Sequence, residues 1–183
     1  MLLLAHTGIT LAAFRGWEKA AVYRGFVKLP GLIDYRLVLV GSMLPDIIDK
    51  PLGGFILRES LGNGRIYCHT LVFLLLLLGM GIFFRYKLNR PGFFVLAGGS
   101  LVHHVLDGMW LFPSTFLWPA YGWGFPKGNA EAWLEYWIKS LLTNPIVYLP
   151  EIAGVLILIF FGIKLIFQVN LREFIFTGKL SRV

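Results

Sequence analysis

The sequence contains a single cysteine, Cys68, among its 183 residues. One cysteine cannot form an intrachain disulfide, and it excludes zinc sites built from paired CxxC motifs. The HExxH signature of helical zinc proteases is also missing. Because free cysteine usually behaves as a small hydrophobe, we expect Cys68 to be a core residue, even though its neighbour His69 makes a thiolate ligand conceivable.

Charged residues are scarce as well. They make up 15% of the chain, whereas hydrophobic residues make up 57% and aromatic residues 16%. This composition is too apolar for an ordinary soluble domain. The sequence therefore predicts an all-α integral membrane protein, with residues 1–183 forming a single helical bundle.

Apolar runs of helical length predict about four membrane-spanning helices, and five at most. The runs cover residues 2–14 with an amphipathic continuation to about residue 23, then 32–48, 66–84, 92–112 and 146–167. Residues 131–142 have the pattern of an amphipathic helix that lies in the membrane interface. The proline-rich aromatic stretch before this helix suits the headgroup level.

The net charge of +7 fits a membrane surface better than nucleic acid, because the basic residues lie between apolar runs and form no basic stripe. We expect membrane lipids as partners and no direct nucleic-acid binding. With the turns after the first and third helices and the tail in the cytoplasm, most of the 17 Lys and Arg residues face inside, and the outer side keeps only Lys50, Arg58, Arg65, Lys127 and Lys139. The orientation places residues 113–145 outside and the basic tail, 169–183, inside.

The stretch LVHHVLDGMW, residues 101–110, places ionisable side chains on an otherwise apolar helix. His103 and Asp107 are four residues apart and share a helix face, and His104 lies one position round. An ionisable side chain inside a bilayer costs roughly 2.5–3.5 kcal/mol, so several together indicate a function. Imidazole and carboxylate ligands suit a divalent cation such as zinc. The alternative is a hydrogen-bonded pair that only holds helices together.

Other ionisable residues are predicted at a similar depth. His69 and Asp107 lie sixteen and seventeen residues from the basic turn at 85–90, which is roughly 25 Å along a helix. His6 and Asp46 also fall in the outer half of the bundle by the same count. We therefore expect these side chains to converge toward the non-cytoplasmic face.

The histidines leave alternatives open. His69 is either an interfacial histidine or a ligand, with Arg65 four residues earlier as an anion clamp on the same face. His104 is either a further metal ligand or an outward neighbour of His103. His6 by itself does not indicate a function, and it becomes a candidate ligand only because it is predicted at the same depth as the other ionisable residues.

The carboxylates also allow two interpretations. Asp46 is a metal ligand or a helix-end aspartate that faces water. Asp49 is a turn residue paired with Lys50, or a general base. Glu151 follows Pro150 as a first-turn acid that favours the helix dipole, and a general-base role is the alternative.

Five short segments of the chain occur in the same order as the motifs of a known family. They are AHTGIT with His6, GSMLPDIIDKP with Asp46, GRIYCHTLVF with His69, GSLVHHVLDGMW with His103 and Asp107, and FLWP at 116–119. Together they resemble the YdjM-like family, described as LexA-binding, inner-membrane-associated metal-dependent hydrolases. The resemblance implies an inner-membrane location and a metal or catalytic role for these five His and Asp residues. It departs from the PDIDHP pattern, because the second acid is displaced by one residue and Lys50 replaces the His, and from HRGxTH, because Gly64 replaces the first His. It also departs at Val102, which replaces the Ser before His103, and at Trp110, which replaces the Thr after SHxxxD.

The sequence thus predicts a membrane-bound metal-dependent hydrolase that cleaves a phosphoester, lipid-linked or free. Zinc, with manganese as the alternative, would activate water and polarise a phosphoryl oxygen. Arg65 would neutralise developing charge, and Asp49 or Glu151 would accept the proton. The alternative function is a non-catalytic membrane protein in which a structural metal or a His/Asp network serves a partner.

Overall fold

A computed structural model describes residues 3–26, 33–128, 133–167 and 171–180, with the side chains of 133–137 excepted. The described chain is all-helical and contains no strand, which confirms the all-α prediction. Its α-helices are α1 (Leu3–Tyr23), α2 (Tyr35–Pro51), α3 (Leu71–Leu88), α4 (Gly92–Leu106), α5 (Pro113–Phe116), α6 (Trp133–Thr143), α7 (Pro145–Phe167) and α8 (Leu171–Thr177). A π-helical turn, Leu52–Ile56, and two 3₁₀ turns, Tyr67–His69 and Met109–Leu111, complete the set.

Two predicted helix boundaries near the ionisable residues are wrong. The helix predicted from residue 66 begins only at Leu71, because the Thr70 side chain accepts the N–H of Phe73 and caps it. His69 therefore lies in a 3₁₀ turn rather than on the helix. The helix predicted to reach residue 112 ends at Leu106, with Asp107 as its C-cap and Gly108 in the left-handed region (φ 61°).

Helix α2 runs further toward the C-terminus than predicted. Asp34 caps its start by accepting the N–H of Arg36, and the helix continues to Pro51 instead of ending at residue 48. As a result Asp46, Asp49 and Lys50 all lie on one continuous helix. Residues 131–132 of the predicted interfacial helix, and residues 169, 170 and 181–183 of the predicted tail, lie outside the described ranges.

Two helices of the described chain, α3 and α7, are long and apolar enough to cross a membrane. Helix α4 is apolar but has only 15 residues. The predicted count of about four spans therefore stays a prediction. Most side chains of α3 and α7 face outward, and many of them are large and apolar, such as Leu76, Phe83 and Phe160. Such a surface suits contact with lipid chains.

The helices pack in the order α7, α1, α2, α4, α3. Glycines allow the closest crossings. A Cβ on Gly154 of α7 would lie 2.2 Å from the carbonyl oxygen of Leu4 in α1, and one on Gly99 of α4 would lie 2.8 Å from the carbonyl carbon of Gly41 in α2. Small residues at a helix interface let the two backbones approach in this way.

The hydrophobic core and the buried ionisable residues occupy different levels of the same three helices. The core contains Leu11 of α1, Val38 of α2 and Val95 of α4. His6 precedes this level on α1, whereas on α2 and α4 the ionisable residues follow it. Because α1 runs in the opposite direction to α2 and α4, the His and Asp side chains of these three helices collect at one end of the bundle.

We expect Gly154→Ala to lower stability, because the new methyl group would collide with the α1 backbone. Overpacking of this kind costs about 1–3 kcal/mol. Thermal unfolding of the detergent-purified protein, followed by the reactivity of the buried Cys68 thiol, measures the change. Gly162→Ala on the same helix is the matched control, because a Cβ there meets nothing within 4 Å. Equal melting temperatures for the two variants would contradict the close crossing.

Candidate metal centre

Three helices and one turn bring the predicted His and Asp residues together. His6 comes from α1, Asp46 from α2, His69 from the 3₁₀ turn, and His103 and Asp107 from the end of α4. The three histidines are fully buried, and the two aspartate side chains are only 6% and 3% exposed. Such a group of buried ionisable residues needs a partner that compensates its charge and polarity.

The imidazoles of His69 and His103 face each other through their Nε2 atoms, 3.3 Å apart. His103 Nδ1 lies 2.7 Å from the carbonyl oxygen of Ser42, which can only accept, so Nδ1 carries the proton. His69 Nδ1 lies 2.7 Å from a carboxylate oxygen of Asp49 and donates to it in the same way. In their neutral forms both histidines therefore present an Nε2 lone pair, with no proton to share between them.

Two carboxylates flank this pair of nitrogens. Asp46 Oδ1 lies 3.5 Å from His69 Nε2 and 3.8 Å from His103 Nε2. Asp107 Oδ2 lies 3.9 Å from each of the same two nitrogens. Both carboxylates thus direct an oxygen toward the space between the imidazoles.

Two overlapping sets of side chains have the spacing of metal ligands. One set is Asp46, His69 and His103, and the other is His6, His103 and Asp107. His6 Nε2 lies 3.1 Å from Asp107 Oδ1, and its ring packs on that of His103 with centroids 4.2 Å apart. Since His103 has one Nε2 and belongs to both sets, it can serve only one ion at a time.

The spacing of the first set is compatible with a divalent cation. With Zn–N bonds of 2.0–2.1 Å, two nitrogens of a tetrahedral site are about 3.3 Å apart. The His69 and His103 Nε2 atoms are 3.3 Å apart. An ion between these atoms would also remove the conflict between the two lone pairs, so the donor set and its spacing both suit a divalent cation.

Asp49 is fully buried and orients His69 instead of facing the space between the imidazoles. Its oxygens accept the backbone N–H groups of Ile66, Cys68 and His69 at 2.9–3.1 Å, besides the proton of His69 Nδ1. Carboxylates that hold a ligand histidine in this way fix its tautomer and position. Its predicted pairing with Lys50 in a turn is wrong, because Lys50 binds Asp46 (2.6 Å) on continuous helix α2.

Cations contact the oxygens of both flanking carboxylates. Lys50 Nζ lies 2.6 Å from Asp46 Oδ2, and Arg65 Nε and Nη2 each lie 3.0 Å from Asp107 Oδ2. The Arg65 guanidinium also packs over the Phe112 ring, 5.4 Å from its centroid. Arg65 therefore lies at the site, as the sequence predicts, but it contacts an aspartate as well as facing outward.

Glu151 and His104 lie beside the cluster. Glu151 Oε2 accepts the N–H groups of Leu4 and Ala5, so it caps the first turn of α1 just before His6. Its predicted general-base role stays a prediction. His104 donates from Nδ1 to the Ser100 carbonyl oxygen at 2.7 Å, and its buried Nε2 has no hydrogen-bond partner within the described chain. It belongs to neither set of candidate ligands.

A cluster of aromatic side chains lies beside the site. Tyr67, next to the turn that carries His69, packs edge-on against Trp118 and Phe125, with ring centroids 5.8 and 4.9 Å away. Asn63 donates from its side chain to the carbonyl oxygen of Pro126 and accepts the N–H of Arg65. The aromatic stretch is thereby joined to the loop that presents Arg65.

Sequence reasoning missed two functional contacts. Lys50 was expected beside Asp49, although its spacing of four from Asp46 is the helical ion-pair spacing and could have revealed the contact. The Ser42 carbonyl that orients His103 gave no signal, because a backbone contact between two helices depends on how they cross. The close approach of α2 and α4 at Gly41 and Gly99 makes it possible.

These features define a helical bundle that buries a candidate metal centre of His and Asp at one end, with two strongly apolar helices exposed. Residues 1–174 match the family model described as YdjM inner membrane protein. The chain belongs to this family of inner membrane proteins, which confirms the resemblance found in its motifs. No curated protein and no solved structure gives a significant match.

We expect Asp49→Asn to destabilise the protein, because an amide would turn a donor toward backbone N–H groups or toward His69. Leaving such buried groups unpaired costs about 1–3 kcal/mol each. Helical circular dichroism during heating in detergent measures the loss. Glu59→Gln, an acid-to-amide change on an exposed loop residue, is the control. A melting temperature unchanged by Asp49→Asn would show that these hydrogen bonds do not form.

Proposed function

We propose that this protein is a membrane-bound, zinc-dependent hydrolase that cleaves a phosphoester, with a lipid-linked substrate favoured. The observation that supports this most strongly is the pair of Nε2 lone pairs on His69 and His103, fixed 3.3 Å apart by protonated Nδ1 atoms. A hydrogen-bond network alone leaves this arrangement unfavourable unless one imidazole gains a second proton. A divalent cation satisfies both lone pairs at once.

Asp46, His69 and His103 would hold the ion, with Asp107 and His6 next to it. A divalent cation at such a site makes water a stronger nucleophile and polarises a phosphoryl oxygen. Residues of the chain would orient the ligands and bind the phosphoryl group. Asp49 and the Ser42 carbonyl keep His69 and His103 in the ligand tautomer, and Arg65 supplies positive charge for the phosphoryl group.

The membrane location supports a substrate carried by lipid. The chain belongs to an inner membrane family, and we propose that α3 and α7 cross the bilayer together with two further helices. The uneven distribution of Lys and Arg then supports a site toward the non-cytoplasmic face. Exposed aromatic side chains near the site, Trp110 and Trp123 among them, suit the headgroup region, where a lipid-borne phosphoester would arrive.

The deep burial of the histidines favours a second candidate function, a structural metal that ties the helices for a partner. Structural zinc sites are closed by protein ligands, whereas catalytic sites keep one position open. Exchange of bound zinc with a small chelator distinguishes the two. Exchange within minutes without unfolding indicates an open site, and zinc released only on unfolding indicates a closed one.

We expect near-stoichiometric zinc in the wild-type protein purified in detergent, measured by inductively coupled plasma mass spectrometry. Asp46→Asn and His69→Gln should each lower the zinc content about tenfold or more at limiting metal, because each removes a ligand. His104→Gln is the control and should retain zinc, since His104 lies outside both ligand sets.

Hydrolysis of bis(p-nitrophenyl) phosphate and of a fluorescent phospholipid should follow zinc content across these variants. Melting temperatures identify any variant that loses zinc by failing to fold. A wild-type protein without metal after reconstitution with zinc and manganese would overturn the hydrolase proposal. Equal zinc loss in a folded His104→Gln variant would contradict the assigned ligand set. Zinc without any phosphoesterase activity would favour the structural function.

A further inference from the structure

We propose that Lys50 is a substrate-binding residue, which together with Arg65 forms a two-armed phosphate-binding site on the outer side of the metal centre. The inference rests on the proposed function and names the group that recognises its substrate. The ligand class is a phosphate monoester or diester, whether it is carried on a lipid headgroup or is free.

The contacts place both cations around one centre. Asp46 directs Oδ1 toward the nitrogens of His69 and His103, whereas its Oδ2 contacts Lys50 Nζ at 2.6 Å. Asp107 flanks the same two nitrogens and contacts Arg65. The Lys50 ammonium and the Arg65 guanidinium therefore each contact one carboxylate, and both carboxylates flank the same pair of imidazoles.

The two cationic side chains are much more exposed to solvent than the histidines and carboxylates of the cluster. The side chains of Lys50 and Arg65 are 31% and 36% exposed. The histidines and carboxylates of the same cluster are 0–6% exposed. An anion that approaches the centre thus meets the ammonium and the guanidinium first.

The backbone brings the two arms side by side. A Cβ on Gly64 would lie 3.2 Å from Lys50 Cγ and 3.7 Å from Lys50 Cα, so the lysine stem passes directly against Gly64. Arg65 is the next residue and its N–H is held by the Asn63 side chain. Asp49, the neighbour of Lys50, accepts N–H groups of residues 66, 68 and 69. These contacts fix the segment of Lys50 against the segment of Arg65.

The charges of the cluster favour an anion once a cation is bound. Asp46, Asp49 and Asp107 are opposed by Lys50 and Arg65, so the group carries one net negative charge when the histidines are neutral. A divalent ion changes this to one net positive charge. Metal and phosphate should therefore bind with positive coupling, in which each raises the affinity for the other by the same factor.

The two arms have complementary chemistry. Arginine presents a planar fork that can contact two oxygens, whereas lysine supplies a compact charge on a flexible stem. The Lys50 ammonium can move from Asp46 to a phosphate oxygen once the bound ion shares the charge of that carboxylate. Such a shift keeps the stem in place against Gly64.

The test compares Lys50→Met with wild type in the full-length, zinc-loaded protein in detergent. Methionine keeps an unbranched stem and removes the charge. We expect the Kd for inorganic phosphate, measured by isothermal titration calorimetry, to rise about 10- to 100-fold, as loss of a charged hydrogen bond predicts. Lys50→Arg should restore most of the affinity. Lys139→Met, on an exposed lysine of α6, is the control and should bind as wild type does.

The same titration with phosphatidic acid in mixed micelles identifies the source of the phosphate. Tighter binding of phosphatidic acid than of inorganic phosphate, with both lost in Lys50→Met, assigns the arms to a lipid headgroup. Equal affinities assign them to a free phosphoester. Either result supports the two-armed site.

Zinc content is measured on the same samples, so that the two proposals fail separately. Retained zinc with phosphate affinity unchanged in Lys50→Met overturns the role of Lys50 and leaves the hydrolase proposal standing. A parallel fall of zinc and phosphate binding also overturns it, because Lys50 then acts only by holding Asp46. If the wild-type protein binds no zinc, the hydrolase proposal fails, and phosphate titration of the metal-free protein tests the role of Lys50 by itself. A higher Kd for phosphate in Lys50→Met than in wild type then supports this role, and an unchanged Kd overturns it.

Discussion

The geometry of the site depends on two imidazole lone pairs, those of His69 and His103, that face each other at short distance. His69 and His103 each commit Nδ1–H to an acceptor, a carboxylate and a backbone carbonyl respectively, and their Nε2 atoms then meet at 3.3 Å. A buried polar atom without a partner is costly, and two that face each other are costlier. The surrounding carboxylates match a bound cation. The same carboxylates would also stabilise a doubly protonated imidazole, and metal analysis separates these two cases.

The helix crossings hold this opposition in place. Gly41 and Gly99 let the α2 and α4 backbones approach, and only then does the Ser42 carbonyl reach His103. Gly8 and Gly154 do the same for α1 and α7, where Glu151 caps the turn that leads into His6. The close packing at the glycines and the geometry of the candidate metal centre therefore depend on the same helix crossings. A methyl group added at a crossing would shift a ligand as well as lower stability.

The sequence predicted the helices and the convergence of His and Asp because both follow from periodicity and counting. Residues four apart share a face, and a basic turn sets a depth. It could not predict that His69 lies in a 3₁₀ turn, because the Thr70 cap and the hydrogen bonds to Asp49 decide where the helix begins. Nor could it predict that Asp49 and Glu151 accept backbone N–H groups of other elements. Their contacts are with backbone N–H groups far away in the chain, and no side-chain pattern records those.

Lys50 and Gly64 are two of the positions where the motifs depart from the family pattern, and they lie next to each other. A Cβ at position 64 would lie 3.2 Å from Lys50 Cγ, so a histidine there would compete with the lysine stem for the same space. The two departures are therefore structurally coupled. In place of the two histidines of the family pattern, this chain has one ammonium, which contacts Asp46. An ammonium cannot ligate a cation, but it can bind an anion, and the proposed phosphate-binding role of Lys50 depends on this difference.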